Sequence, residues 1–257
     1  MILITRPKKE TAELAQILKK KKLKTFQEPL IYFKYLKKKI INKEDKIFIV
    51  ASVHSINAIN IKINQKNIKQ ASFVVIGDNA AKEIKKIGVK NILLVADNGN
   101  QLLTKIKQRK KYISKEFEFL CSNIYNKDFV SSLKIVGLKV KLNFVYRTYP
   151  KKTMSNNLVR AVKLNKIKIA IFYSEFTLSV FLTLAKKHGF SKQMLFQIQF
   201  LCLSKRIGSK LTKKNLDVYW PSKPNQKAML SLLSAIYWIL MGDLFYEEGA
   251  KVLQLDI

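Results

Sequence analysis

The sequence is poor in the residues that build metal centres and covalent cross-links. Its 257 residues include only 2 Cys and 2 His. Cys121 and Cys202 each lie in or beside an apolar, strand-like segment, and neither belongs to a CxxC pair. Two buried, reduced thiols are therefore expected, and a disulfide is not. His54 and His188 are too few for a zinc site without carboxylate help. Glycine (8) and proline (5) are scarce while 48% of the residues are hydrophobic, which argues against disorder and leaves material for one large or two ordinary cores. The most apolar stretch, residues 228–245, is broken by Ser231, Ser234, Gly242 and Asp243 and is short of the roughly 20 apolar residues of a bilayer span. A docked C-terminal helix, and no membrane partner, is expected. The opening run Met1-Ile2-Leu3-Ile4 is too brief for a secretory leader, so a cytoplasmic protein is expected. Residues 246–257 carry little signal.

Acidic residues are also few, 17 against 49 Lys and Arg, for a net charge of +32. One reading is a polyanionic partner: nucleic acid, a membrane surface, or a small molecule with many carboxylates. The other is drift toward A/T-rich codons, since Lys, Ile and Asn are all abundant and lysine runs such as 19–22 and 37–39 fall at helix ends and turns. The lysines spread along every segment. A nucleic-acid interface would gather them on one face with interleaved aromatics.

What the sequence does hold is a recurring strand-turn-helix unit. Its clearest copy is residues 73–88. Phe73 to Ile76 make a buried-strand signal, Gly77-Asp78-Asn79 a tight turn, and Ala80, Ala81, Ile84 and Ile87 a helical stripe closed by Gly88. Free N–H groups at such a helix start bind anions without any cationic side chain. A second copy runs from Ile47-Phe48-Ile49-Val50 through Ala51-Ser52-Val53-His54-Ser55 into a helix through Ile56, Ile59 and Ile63. A third runs from Ile169-Ala170-Ile171-Phe172 into Tyr173-Ser174-Glu175 and a helix through Leu178, Phe181, Leu182 and Ala185. The fourth is Phe200-Leu201-Cys202-Leu203, then Ser204-Lys205-Arg206 with Ile207 and Leu211. Two copies in each half read either as a duplication or as ordinary α/β repetition.

The remaining elements fill in an α/β pattern. Residues 2–5 read as a buried strand, followed by a helix with Ala12, Leu14, Ala15, Ile17 and Leu18 on one face. Residues 92–95, 117–120 and 216–219 read as further strands, and Ser122-Asn123 as a polar turn. Two extended aromatic segments, 29–36 and 138–149, bracket the middle of the chain. If they pair as an antiparallel ribbon, residues 37–143 form an inserted domain. Residues 1–30 and 150–257 then form a discontinuous one, with 29–36 and 144–150 as the linking ribbon.

In order along the chain, these segments resemble the uroporphyrinogen-III synthase family. The matching stretches are Ile2-Leu3-Ile4-Thr5-Arg6-Pro7, Pro29-Leu30-Ile31, Ala51-Ser52-Val53-His54-Ser55-Ile56, Val75-Ile76-Gly77, Val145-Tyr146-Arg147-Thr148, Phe172-Tyr173-Ser174, Leu203-Ser204 and Trp220-Pro221. The chain departs from the family pattern at Asn79, Ala80 and Ala81, at Ser204-Lys205-Arg206-Ile207, and at Cys121-Ser122-Asn123, where threonines, a Gly-x-Thr-Ala turn and an Arg-Gly turn are usual. Contacts from backbone N–H groups would survive these changes.

The resemblance implies an α/β protein of two flavodoxin-like parallel-sheet domains joined by a two-stranded antiparallel ribbon, with the active cleft between them. It implies a lyase of porphyrin and heme biosynthesis. Hydroxymethylbilane, a linear polycarboxylate tetrapyrrole, loses water and closes through a spiro intermediate that inverts its terminal (D) ring, giving uroporphyrinogen III. No metal or organic cofactor is implied, and a monomer without a nucleic-acid partner is expected. The substrate carboxylates would be held at Ser52, His54 and Ser55; at Gly77, Asp78, Asn79 and Ala80; at Ser174, Glu175 and Phe176; and at Ser204, Lys205 and Arg206. By family position Tyr146 is the proton donor; the plainer alternative is a ribbon aromatic packed on Tyr32 or Phe33. His54 stands either as a carboxylate donor or as a turn residue, His188 as a helix-end residue, and Glu175 with its side chain turned away from the anion. The rival readings are a basic nucleic-acid-binding α/β protein and a decayed synthase that only binds ligand; product analysis separates them.

Overall fold

Three consecutive apolar residues, Ile2–Ile4, form a fully buried strand, β1. The computed structural model describes residues 1–109, 112 and 114–242. Helix α1 (Lys8–Lys20) follows and buries Thr11, Leu14, Ala15 and Leu18. That stripe has the i, i+3, i+4, i+7 spacing of one helix face, each large apolar side chain contributing about 1.5–3 kcal/mol of burial. Ala12 and Ile17, expected on the same face, lie off it, Ala12 being exposed. A short strand absent from the sequence reading, β2 (Thr25–Gln27), pairs with β1 in parallel. Buried Glu28 then accepts hydrogen bonds from Ser155 Oγ (2.7 Å), Ser155 N and Lys151 Nζ (both 3.3 Å), and Lys151 N donates to Leu30 O (2.8 Å). The outgoing and returning chain are thus tied together.

The chain then runs through β3 (Ile31–Tyr35), β4 (Lys46–Val50), α2 (Val53–Ile59) and α3 (Gln65–Gln70). It continues with β5 (Ser72–Ile76), α4 (Asp78–Lys86), β6 (Asn91–Ala96), α5 (Gly99–Lys107), β7 (Glu116–Ser122), α6 (Lys127–Ile135) and β8 (Lys139–Pro150). Helix α2 stops at Ile59, short of Ile63, which is exposed. The cause is Asn64. Its buried amide donates to Ile59 O and Lys38 O and accepts from Ile40 N, so the chain breaks there to satisfy a side chain. The last leg holds α7 (Asn156–Lys163), β9 (Ile169–Phe172), α8 (Glu175–Lys187), α9 (Lys192–Phe196), β10 (Gln199–Cys202), α10 (Lys205–Thr212), β11 (Val218–Tyr219) and α11 (Gln226–Gly242). The tail 246–257, and the end of the apolar stretch beyond residue 242, lie outside the described residues.

These elements make two units, Met1–Tyr32 with Pro150–Ile257, and Phe33–Tyr149. The first has a five-stranded parallel sheet ordered β11-β10-β9-β1-β2. In chain order within that unit it reads 2-1-3-4-5, the flavodoxin arrangement. Helices α1 and α11 share one face of it, with Leu14, Leu18, Met229, Leu233 and Ile236 against Ile2, Ile4, Ile169 and Ile171. On the other face Phe181 of α8 packs with Phe172 and Phe200.

The second unit has a sheet ordered β3-β8-β7-β4-β5-β6, and β8, β7, β4, β5 and β6 are parallel. Its parallel strands read 3-2-1-4-5, so the flavodoxin order expected for both units holds only in the first. The reason lies in where the chain doubles back. Strands β4, β5 and β6 step one way with α2 and α4 packed on Phe48, Val50, Phe73 and Val75. Then β7 adds on the far side of β4, and right-handed crossovers place α5 and α6 on the opposite face, against Ile47, Ile49, Val74, Phe117 and Phe119. The differing strand orders also mean that the two halves are not repeats of one topology. Strand β3 is a hydrogen-bonded neighbour of β8.

Candidate active site

Parallel sheets of this type bind ligands beyond the strand carboxyl ends, at the point where the strand order reverses. In the second unit that point lies between β4 and β7, and polar side chains converge there. Tyr146 of β8 is 7% exposed, with its ring packed edge-on against Phe33 at 5.6 Å. Burial raises its phenol above the ordinary pKa of 10, and the nearby hydroxyls of Ser52, after β4, and Ser122, at the end of β7, pull the other way. The group is a neutral phenol at neutral pH. Ser122 Oγ is itself fixed: it donates to Ile124 O (2.8 Å), accepts from Ile124 N (2.9 Å) and meets Thr148 Oγ1 at 3.1 Å. Asn123 Oδ1 accepts from Thr148 N (2.8 Å), which ties this turn to β8.

His54 sits in the first turn of α2, where Ser52 Oγ caps its backbone N–H at 3.1 Å. The imidazole lies 3.8 Å from the Phe33 ring, centroid to centroid, and its Nδ1 is 3.0 Å from the Tyr35 hydroxyl. Phe33 and Tyr35 alternate along β3, so both rings fall on one side of it. His54 therefore belongs to an aromatic cluster with Phe33, Tyr35 and Tyr146. Ser55 is buried, and its hydroxyl donates to Leu120 O at 2.6 Å, so it braces α2 against β7 and does not face a ligand.

One strand further out, Gly77 joins β5 to α4 with φ at +90°, a conformation that side-chain-bearing residues rarely adopt. No side chain caps α4. Asp78 and Asn79 are exposed, while the Ala80 side chain is buried, so Ala80 offers only its backbone. The Asp78 carboxylate sits in the first turn of α4, where it competes with any incoming anion.

In the first unit Ser174 caps α8 by accepting from Thr177 N at 3.1 Å, and its hydroxyl meets Thr177 Oγ1 at 2.7 Å. Phe176 is half-buried. Glu175 pairs with Arg206 (2.9 Å) and Lys210 (2.7 Å), both on α10. Hydrogen bonding from Lys210, helped by the charges of Lys210 and Arg206, lowers its pKa. The Glu175 side chain thus occupies the Arg206 guanidinium beside the candidate turn of α10. Ser204 and Lys205 open α10, and no side chain caps it. His188 ends α8, where its Nε2 accepts from Met154 N at 3.1 Å.

Sequence reasoning singled out Ser52, His54 and Tyr146, which the structure brings together. It named Phe33 as a packing partner of Tyr146 and missed the parts played by Tyr35, Ser122 and Thr148. The available signal was the alternation of aromatics at 33 and 35 and the polar turn at 122–123. Among the described residues no group of three or more His, Cys, Asp and Glu could hold a metal ion, and no helix is long and apolar enough to cross a membrane.

No curated protein matches the chain by sequence alone. Among solved structures the fold is similar to a uroporphyrinogen-III synthetase from Helicobacter pylori, with TM-score 0.59 and 15% identity over 83% of this chain and 93% of that one. It is also similar to a mutant uroporphyrinogen III synthase from Thermus thermophilus, with TM-score 0.58 and 11% identity over 94% of this chain and 99% of that one. At such identities these likenesses concern the fold. The family model "Uroporphyrinogen-III synthase HemD" matches residues 12–231, most of the sequence. With two α/β sheets whose strand ends carry the candidate turns, this chain belongs to the uroporphyrinogen-III synthase family, the cyclising lyases of heme biosynthesis.

Proposed function

We propose that the chain performs its family's reaction chiefly by holding a polycarboxylate substrate on backbone N–H groups. One observation carries the mode of binding. Ser52, Asn98, Asn126, Ser155, Ser174 and Ser191 cap their helices with side-chain oxygens, whereas α1, α3, α4 and α10 begin without a side-chain cap, and of these α4 and α10 start at two of the candidate turns, Gly77 and Ser204. Their first N–H groups are donors for a carboxylate, favoured further by the helix dipole. This also explains why the family's usual threonines can be missing here without loss of contact.

The linear hydroxymethyl tetrapyrrole closes without inversion when left alone, so the protein's task is to impose the conformation in which the terminal ring turns over. That is catalysis by orientation. Departure of the hydroxyl group as water takes one proton. Tyr146, held neutral by burial, supplies it as general acid. The terminal pyrrole then bonds through its substituted carbon to the freed methylene, giving the spiro intermediate; the older methylene bond at that carbon breaks and re-forms at the ring's free α-carbon, whose proton leaves and restores the Tyr146 phenol. In this reading the two units are domains linked by an antiparallel ribbon of residues 29–36 and 144–150, and turns of both engage one substrate. The enzyme works as a cytoplasmic monomer without metal, cofactor or nucleic-acid partner. Incubation with hydroxymethylbilane and chromatography of the macrocycles tests this. The type III isomer should predominate, and a predominance of type I at saturating protein would sink the reading.

A further inference from the structure

We propose that Arg6, presented by Tyr173, is an anchor for a substrate carboxylate in the first unit, an inference that rests on the synthase reading above. The order β11-β10-β9-β1-β2 reverses between β1 and β9, so this is the ligand-binding point of that sheet by topology. Ile4 lies opposite Ile171, and continuing that register beyond the strands sets Arg6 beside Tyr173. Thr5 Oγ1 donates to Ile171 O at 2.8 Å and fixes the end of β1 in place. The Arg6 guanidinium carbon stands 4.1 Å from the centroid of the Tyr173 ring, and that ring packs against the core of the unit. The guanidinium also acts on the Tyr173 hydroxyl, and its remaining donors match a carboxylate in a two-point bond.

Two of the cations on the neighbouring α10, Arg206 and Lys210, share the Glu175 carboxylate, whereas Lys205 at its opening is exposed to solvent. Among the described residues Arg6 has no carboxylate within ion-pair distance, so its charge is uncompensated where a ligand is expected. Leu203 N donates to Phe172 O at 2.9 Å, which puts the start of α10 on the far side of Tyr173 from Arg6. A planar cation and an uncapped helix start therefore flank one tyrosine. The chemistry they accept is a carboxylate on a flexible arm, reached by the guanidinium from one side.

The test is steady-state kinetics of Arg6→Gln, Arg6→Lys and Tyr173→Leu, with melting curves and with Lys20→Gln, an exposed change at the other end of α1, as control. Arg6→Gln should raise KM for hydroxymethylbilane about tenfold or more, with turnover at saturation changed far less. Arg6→Lys should recover only part of that loss, because an ammonium cannot make the two-point bond. Tyr173→Leu should raise KM by freeing the guanidinium, and Lys20→Gln should match wild type. Melting close to wild type is expected for both Arg6 variants, and Arg6→Lys, which keeps stem and charge, serves as the folded comparison. An active wild type whose Arg6→Gln form keeps the same KM overturns the assignment of Arg6 alone. A wild type that yields no inverted product overturns the synthase reading instead.

Discussion

Glu175 Oε2 and the Arg206 guanidinium are 2.9 Å apart, and the same carboxylate also meets Lys210 at 2.7 Å. The pair spans α8 and α10, two helices whose first turns are candidate anion sites. A carboxylate there occupies two cations, and on the proposed binding mode it repels the substrate. Glu175→Gln should therefore lower KM for hydroxymethylbilane a few-fold at low salt, most visibly below about 0.1 M, where screening is weak. It should cost about 1 kcal/mol of stability or less, because the pair is largely exposed to solvent. Since the folded pKa of Glu175 is depressed, its contribution is present above the ordinary carboxylate pKa and is lost as pH falls through the folded value. A raised KM in Glu175→Gln would contradict this.

Tyr146 offers a second test. Tyr146→Phe keeps the ring that packs on Phe33 and removes only the hydroxyl. Turnover should fall about a hundredfold or more if the phenol donates the proton, with KM nearly unchanged. Stability should change by about 1 kcal/mol. The raised folded pKa means that this group favours the folded state below its ordinary pKa of 10 and loses that contribution as pH climbs through the folded value. Activity should accordingly hold as pH approaches 10 as far as this residue is concerned. Wild-type turnover in Tyr146→Phe would leave the residue a packing aromatic.

Much of this was legible in the residue order, and the rest was not for identifiable reasons. Buried parallel strands such as Ile47–Val50 and Ile169–Phe172 are short apolar runs, so they stand out. Strand order is a different matter. Nothing in Phe117–Leu120 says that β7 joins the far side of β4, which is why the second sheet departs from the flavodoxin order. Helix α7, capped by Ser155, went unread because its stripe of Leu158, Ala161 and Val162 is short and mostly small. The Ser52, Ser122 and Tyr146 cluster draws on β4, β7 and β8, three strands far apart in sequence. Glu175 looked out of place among anion-binding turns, and only the structure supplies its partners on α10.

The thiols give a simple check on the two cores. Cys121 and Cys202 are buried, and burial pushes each thiol up to about 12. A thiol-reactive reagent at neutral pH should leave the native protein unlabelled and fully active, and should label both cysteines in denaturant. Rapid labelling of either in the native state would contradict this packing.

The charge of +32 yields a fourth prediction. If exposed cations assist the backbone donors, KM for hydroxymethylbilane should rise with ionic strength. Duplex DNA should bind weakly, lose affinity steeply with salt and show no preferred sequence. Tight, sequence-selective DNA binding at physiological salt would favour the nucleic-acid reading over the enzymatic one.

The claim on which the proposed mode of action turns is that backbone donors, and not side chains, hold the substrate, and Gly77 tests it most directly. Its φ of +90° suits glycine alone, and a β-carbon placed there meets nothing within 4 Å, so a substitution acts through the backbone and not through a clash. Gly77→Val should swing the first N–H groups of α4 away from the ligand. Activity should fall about tenfold or more per lost charge-assisted bond, each worth roughly 1.5–3 kcal/mol. Asn79→Ser, which leaves those donors in place, should change little. The measurement is kcat/KM alongside thermal melting for both variants. The account predicts a folded Gly77→Val protein with severely reduced kcat/KM beside a near-normal Asn79→Ser; a folded Gly77→Val protein with wild-type kcat/KM would contradict it.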